Sequence, residues 1–266
     1  MTAAPERMPP TEDEFVKYYE SASLTPETMA RVRSVKRAAE ELLASLGRRD
    51  HSLDVLDIGC GAATQCIIWA QDGYRMHGLD VSEGLIAIGR KRAQEAGQAI
   101  ELLTGTAAEL PWPDASMDVC LMPELLEHVS DWGTCLNECA RVLRPGGILY
   151  ISTTNRMCPR QVEFNLPLYS WYPDRLKRKF VKLAVTTRPE IAGHAKYPAV
   201  NWFTFGSLSR ALVERGMQPR SRFEVSNANS RPGPQRAVLG LLKHSRPARW
   251  LTEWVTPYTV VYGVKQ

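Results

Sequence analysis

Two groups of residues in this 266-residue chain have side chains and spacings suited to chemistry. The first is Asp57, then Gly59, Cys60 and Gly61, with Asp80 standing 23 residues beyond Asp57. Glycines at the end of an apolar run let the backbone turn sharply and let a ligand approach the main chain. A carboxylate at about that separation suits two hydrogen bonds to ribose hydroxyls, so the group points to an adenosine-type cofactor. The spacing narrows this further. A dinucleotide fingerprint needs Gly or Ala where this chain has Thr64, and no Gly-Lys-Ser/Thr follows to make a phosphate loop. The second group is Glu124, Glu127 and His128, which on a helical turn would share one face and converge. His128 there is a candidate general base, and Glu124 a partner for it.

Positioning such groups requires alternating strands and helices. Leu53 to Ile58 is a short apolar run of the kind buried in a parallel sheet, and Ala62 to Ala70 follows as a helix. Further strands are expected near 74–80, 99–103, 117–122 and 148–153, with helices between them, which predicts an α/β fold with a doubly wound sheet. Phe205 to Glu214 reads as a later helix, and Ser221 to Val225 and Tyr258 to Val264 as the last two strands. Ahead of the sheet, Asp13 to Tyr19 and Thr25 to Leu46 read as amphipathic helices.

Composition agrees with one large domain, since 44% of residues are hydrophobic, enough for a sizeable core. No apolar run approaches the roughly 20 residues that span a bilayer. Met1 to Glu14 has no signal-peptide hydrophobic region, so a cytoplasmic location is expected. The six cysteines lack paired CxxC spacing and read as reduced, buried thiols.

An acid two residues before the first glycine resembles the pattern of class I S-adenosylmethionine-dependent methyltransferases. The resemblance extends through Gly105 to Trp112, Asp118 to Val129, and Leu143-Arg144-Pro145-Gly146-Gly147, all in the family's order. It implies a seven-stranded Rossmann-like sheet, mostly parallel with an antiparallel last strand. It also implies S-adenosylmethionine as cofactor, its methionine end over Gly59 and Gly61, its ribose on Asp80, and its adenine beside Val81, Thr106 and Ala107. Asp57, Cys60 and Pro123 complete this expected cofactor set. The chain departs from the family at Ala63, where a third glycine is common, and at Thr106, where an acid often meets the adenine.

The string Glu124 to Val129 and the segment Ser152 to Arg156 are similar to those of the ubiquinone-biosynthesis O-methyltransferases. In that subfamily the Glu-x-x-Glu-His set is associated with a divalent cation. The resemblance therefore implies a metal such as Mg2+ on Glu124, Glu127 and His128, binding adjacent acceptor oxygens and lowering a hydroxyl pKa. A helical leader in this family often closes over the cofactor, which makes Tyr19, with Phe15 and Tyr18, a candidate lid.

Two stretches exceed the usual connections, 155–202 and 227–257. The first holds nine cations against three acids, a net +6, interleaved with seven aromatic residues. Such a mixture suits an anionic membrane surface, an acidic acceptor or RNA, or else a solvated helix with its aromatics turned inward. The second has the makings of an interfacial helix pair. The chain is thus divided into a leader at 1–50, a cofactor-binding core at 51–154, a basic aromatic cap at 155–203, and the rest of the core at 204–266, with the insertion at 227–257. In the cap, His194 is a further catalytic candidate. Arg156 and Arg160 are candidates for an acceptor's anionic group, and Trp202 and Phe203 for the floor of a pocket. The expected activity is methyl transfer to an oxygen of a small, hydroxylated, hydrophobic acceptor such as a phenol or quinone precursor. RNA, amine and lipid acceptors, and a non-catalytic cofactor-binding scaffold, stand as alternatives. No DNA partner is expected, peripheral contact with an anionic membrane is, and the oligomeric state is left open.

Overall fold

A computed structural model of the protein describes residues 11–50, 52–193, 197–226 and 232–266. In chain order the elements are α1 (Glu12–Ala22), α2 (Pro26–Ser45), β1 (Asp54–Ile58), α3 (Thr64–Ala70), β2 (Arg75–Asp80), α4 (Glu83–Glu95), β3 (Glu101–Thr104), β4 (Met117–Pro123), α5 (Trp132–Val142), β5 (Leu143–Thr154), α6 (Asp174–Thr186), α7 (Phe205–Val213), β6 (Met217–Ser221), α8 (Arg222–Val225), α9 (Gly233–His244), α10 (Arg246–Glu253) and β7 (Tyr258–Lys265).

The strands form one seven-stranded sheet in the order β3-β2-β1-β4-β5-β7-β6. The first five are parallel, and β7 runs antiparallel between β5 and β6. Alternation along β1 divides the core: Leu56 and Ile58 join Leu136, Leu208 and Leu212 on the α5–α7 face. Val55 joins Leu43, Trp69 and Ile86 on the α2–α3–α4 face. Burial on both faces is what a doubly wound sheet requires, and the expected fold class is the observed one.

The expected strand at Ser221 to Val225 is corrected. The strand is β6, and Ser221 closes it while capping α8: its hydroxyl accepts the Glu224 N–H at 3.3 Å, and its own N–H donates to Glu224 Oε2 at 2.7 Å. This reciprocal cap favours a helix after Ser221. Pro219 breaks the apolar run yet is tolerated, because β6 lies at the sheet edge, where a missing N–H costs little.

The cap at 155–203 has a small core of its own. Phe164 stacks on Tyr169 with centroids 4.1 Å apart, and Trp202, Tyr172 and Phe180 pack around them. Lys177 belongs to this interior. It is 7% exposed, donates to the Ser170 carbonyl at 2.8 Å, and lies over the Trp202 ring at 4.6 Å. Burial, reinforced by the charge of Arg156, lowers its pKa to about 8. Five of the cap aromatics thus turn inward, while Trp171 and Tyr197 stay exposed and Arg175, Arg178, Lys179 and Lys182 form an exposed basic face on α6.

Candidate active site

The residues expected at the cofactor end lie at or just beyond the ends of β1, β2, β3 and β4, except Asp57, which lies within β1. β1 ends in a turn in which Gly59, Gly61 and Ala63 all take left-handed φ angles, +79°, +53° and +60°. The Gly59 and Cys60 N–H groups donate to the Leu79 carbonyl at 2.7 and 3.0 Å, tying the loop to β2. Asp80 completes the tie. Its Oδ2 accepts the Gly61 N–H at 2.8 Å and its Oδ1 accepts the Ser82 N–H at 2.9 Å. Each oxygen keeps a further lone pair for a ligand hydroxyl. Burial raises the Asp80 pKa against the pull of these backbone bonds.

The residues present fit S-adenosylmethionine. A side chain added at Gly61 would project into open space, so the loop backbone is accessible to a ligand there. Val81, beside Asp80, is 62% exposed, an apolar surface ready for a nucleobase. Thr106 is exposed, and its hydroxyl accepts the Ala108 N–H at 3.3 Å, while Ala107 is buried beside it. Pro123 is half-buried at the end of β4. Asp57 lies deeper. Its carboxylate accepts from Gln65 Nε2 at 2.8 Å and Cys66 Sγ at 3.6 Å, so it braces α3 under the loop. Burial raises its pKa to about 7. All six cysteines, Cys60 included, are free and buried.

Helix α1 lies along this edge. Glu12 accepts from the Ser82 hydroxyl at 3.2 Å, and Val16 fits so closely over Gly84 that an added Cβ there would stand 2.8 Å from Val16 Cγ2. Phe15 packs on Tyr19 at 4.7 Å and on Tyr197 of the cap at 5.4 Å, so the leader and the cap touch. Tyr19 is close enough to Asp80, Glu124 and Glu163 to feel all three. Burial first, then Tyr18 and these charges, raise its pKa well above the usual range.

At the acceptor end the expected convergence of Glu124, Glu127 and His128 is corrected, because the segment after β4 is a run of turns rather than helix. Glu124 takes a left-handed φ of +51° and its side chain pairs with Arg31 of α2. Glu127 turns the other way into the core, 0% exposed, where Oε2 accepts the Thr153 hydroxyl at 2.7 Å and Oε1 has no hydrogen-bond partner among the described residues. Burial raises its pKa to about 8, leaving it protonated at neutral pH. His128 is half-buried. Among the described residues, no three His, Cys, Asp or Glu side chains gather so as to hold a metal ion.

Sequence reading missed Glu163. This cap carboxyl is 6% exposed, and its Oε2 lacks a hydrogen-bond partner among the described residues. Burial first, then the charge on Glu124, raise its pKa to about 7. Tyr258 belongs to the same cluster, its pKa raised by burial and by Glu124 and Glu163. Of the other cap candidates, Arg156 and Arg160 are exposed, and Trp202 sits in the cap core. Phe203 is a main-core residue packed on Trp132 at 5.4 Å, which corrects its expected place on a pocket floor. His194 lies outside the described residues.

Comparison with known proteins bears on this site. Residues 56–151 match the methyltransferase domain family model. A Mycolicibacterium smegmatis protein named a probable S-adenosylmethionine-dependent methyltransferase is 38% identical over 121 residues, 46% of this chain and 46% of that protein. The ubiquinone biosynthesis O-methyltransferase of a Bradyrhizobium strain is 36% identical over 127 residues, 48% of each chain. The matched stretch thus spans about half the length of these curated relatives. In fold, a Thermotoga maritima structure described as a SAM-dependent methyltransferase superposes with a TM-score of 0.51 at 20% identity, covering 96% of this chain and 97% of the other. Residues 56–151 thus match a methyltransferase domain, and the sheet that carries them has the fold of the Thermotoga maritima structure.

Proposed function

We propose that this protein transfers the methyl group of S-adenosylmethionine to an oxygen of a small, hydroxylated, hydrophobic acceptor. When bound, the cofactor supplies an electrophilic sulfonium methyl. The chain would then have to orient the acceptor in line and accept one proton. Asp80 would hold the ribose, Val81 and Thr106 the adenine, and the Gly59–Gly61 backbone the methionine end.

The observation that carries the acceptor reading is Glu163, a nearly buried carboxyl with an oxygen unused among the described residues and a pKa of about 7. A base poised near neutrality is what a phenolic or catecholic hydroxyl needs, and an already nucleophilic amine does not need it. In this reading the hydroxyl proton passes to Glu163 as the oxygen takes the methyl, and Glu163 returns the proton to water. Arg31, held by Glu124, would keep positive charge beside the forming oxyanion. Tyr19 would cover the site from α1. The naming of relatives as ubiquinone O-methyltransferases supports an oxygen acceptor.

The exposed side chains of the α9–α10 hairpin support a second partner, an anionic membrane surface. Val238, Leu241, Trp250 and Leu251, with Val255 just after α10, are each more than half exposed beside Lys243 and Arg249. No helix among the described residues is long and apolar enough to cross a membrane, so this contact would be peripheral.

Release of S-adenosylhomocysteine across phenols, catechols and hydroxylated quinone precursors, with magnesium and again with chelator, tests the reading. Turnover of a phenolic acceptor is expected, and it should survive chelator, since Glu124 is tied to Arg31 and Glu127 is protonated. Cofactor binding without turnover on any hydroxyl acceptor would overturn it.

A further inference from the structure

A cavity of about 560 Å³ lies against β5 and β7, walled by α2, α8 and α9. Its surface is largely apolar: Val35 and Ala38 come from α2, Val238 and Leu242 from α9, Phe223 from α8 and Val260 from β7. Its size falls within the roughly 300–1,000 Å³ of small-molecule sites, and apolar walls with a few polar groups are their usual character.

One charged side chain, Arg222, lines it among the described residues. This guanidinium is underused. Among the described residues its side chain makes one hydrogen bond, Nη2 to Thr256 Oγ1 at 3.5 Å, and it stacks over Phe223 at 4.7 Å. No carboxylate lies within ion-pairing distance of it among the described residues. Removal from water lowers its pKa, and the charge of Glu253, beyond the cavity wall, compensates only in part. A half-buried arginine whose five donors make one long bond among the described residues has donors left for an anion.

We infer that this cavity is a binding site for a single-chain amphipathic carboxylate of the fatty-acid type, its head on Arg222 and its chain between α2 and α9. Ser34, Ser226 and Gln235 line the same cavity and offer the head further polar groups. The anion belongs on this side of Arg222, because no acid among the described residues lines this cavity, whereas Glu224 and Glu253 line the neighbouring cavity of about 550 Å³. The inference does not rest on methyl transfer, and its test reads binding alone.

The test titrates laurate, below its micellar concentration, into the full chain by calorimetry, with dodecanol as the uncharged chain of equal length. Arg222→Met keeps the apolar stem and removes the charge, and Ala38→Trp fills the cavity from α2. Melting temperature and S-adenosylmethionine binding serve as folding controls. Laurate should bind the wild type, and Arg222→Met should weaken it about 10- to 100-fold while changing dodecanol less than about threefold. Ala38→Trp should weaken both. Failure of laurate to bind the wild type, or equal loss of laurate and dodecanol in a folded Arg222→Met protein, would overturn the assignment.

Discussion

Replacing Glu163 by Gln removes the proposed base while keeping its shape and polarity. With a pKa of about 7, Glu163 is about nine-tenths ionised at pH 8 and about one-tenth at pH 6, so turnover should climb roughly tenfold per pH unit below 7 and then level off. General-base catalysis contributes about 10²- to 10⁴-fold, equivalent to ~2.7–5.5 kcal/mol of barrier. Glu163→Gln should therefore lower kcat/KM on the plateau by that factor and abolish the inflection. The assay is S-adenosylhomocysteine release from pH 5.5 to 9 with the best phenolic acceptor. Folding is a lesser concern, because the change replaces a buried ionisable group with a neutral one. A variant within about threefold of wild type that keeps the same inflection would refute the reasoning and return the role to His128.

Asp80→Ala should weaken cofactor binding about 10- to 100-fold by calorimetry, from loss of charge-assisted hydrogen bonds of ~1.5–3 kcal/mol; unchanged affinity would remove Asp80 from the site. Ala63→Gly should stabilise the protein by ~0.5–1 kcal/mol in urea unfolding, because Ala63 occupies a left-handed conformation that glycine adopts without penalty. A lower urea midpoint would contradict that. Glu127→Gln should stabilise increasingly with pH. The folded pKa of about 8 lies above the unfolded carboxyl value, so the native state holds an extra proton, and stability falls by up to ~1.4 kcal/mol per pH unit between ~4.3 and about 8. The advantage of Glu127→Gln over wild type should thus be larger at pH 8 than at pH 5, and a constant difference would refute neutral burial of Glu127.

Much of the fold was legible because buried parallel strands write themselves as short apolar runs. The glycine loop and Asp80 were legible because their roles depend on backbone and spacing. Other features depend on tertiary burial, which no local pattern carries. Glu163 counted in the sequence merely as an acid among cap cations, yet enclosure gives it its pKa. Lys177 counted as a surface cation and lies beneath Trp202. The Glu124–Glu127–His128 spacing suggested a helical face, but the left-handed turn at Glu124 sends the two acids in opposite directions. Arg31, far from Glu124 in sequence, gave no sign of their pairing. The misplaced β6 had a readable clue, since Ser221 followed by Glu224 is a capping box.

The insertion of β7 between β5 and β6 has a consequence for how the protein is made. During synthesis the five parallel strands emerge first and can assemble, but β6 has no neighbour until β7, the later segment, arrives to pair with both. Until then β5 presents an open edge, the kind of template on which nascent chains associate with one another. Completion of the sheet is therefore a late, long-range step that joins Lys265 to the Ala140 and Leu143 carbonyls at 2.6 Å, and slow passage through it would expose this protein to chaperones.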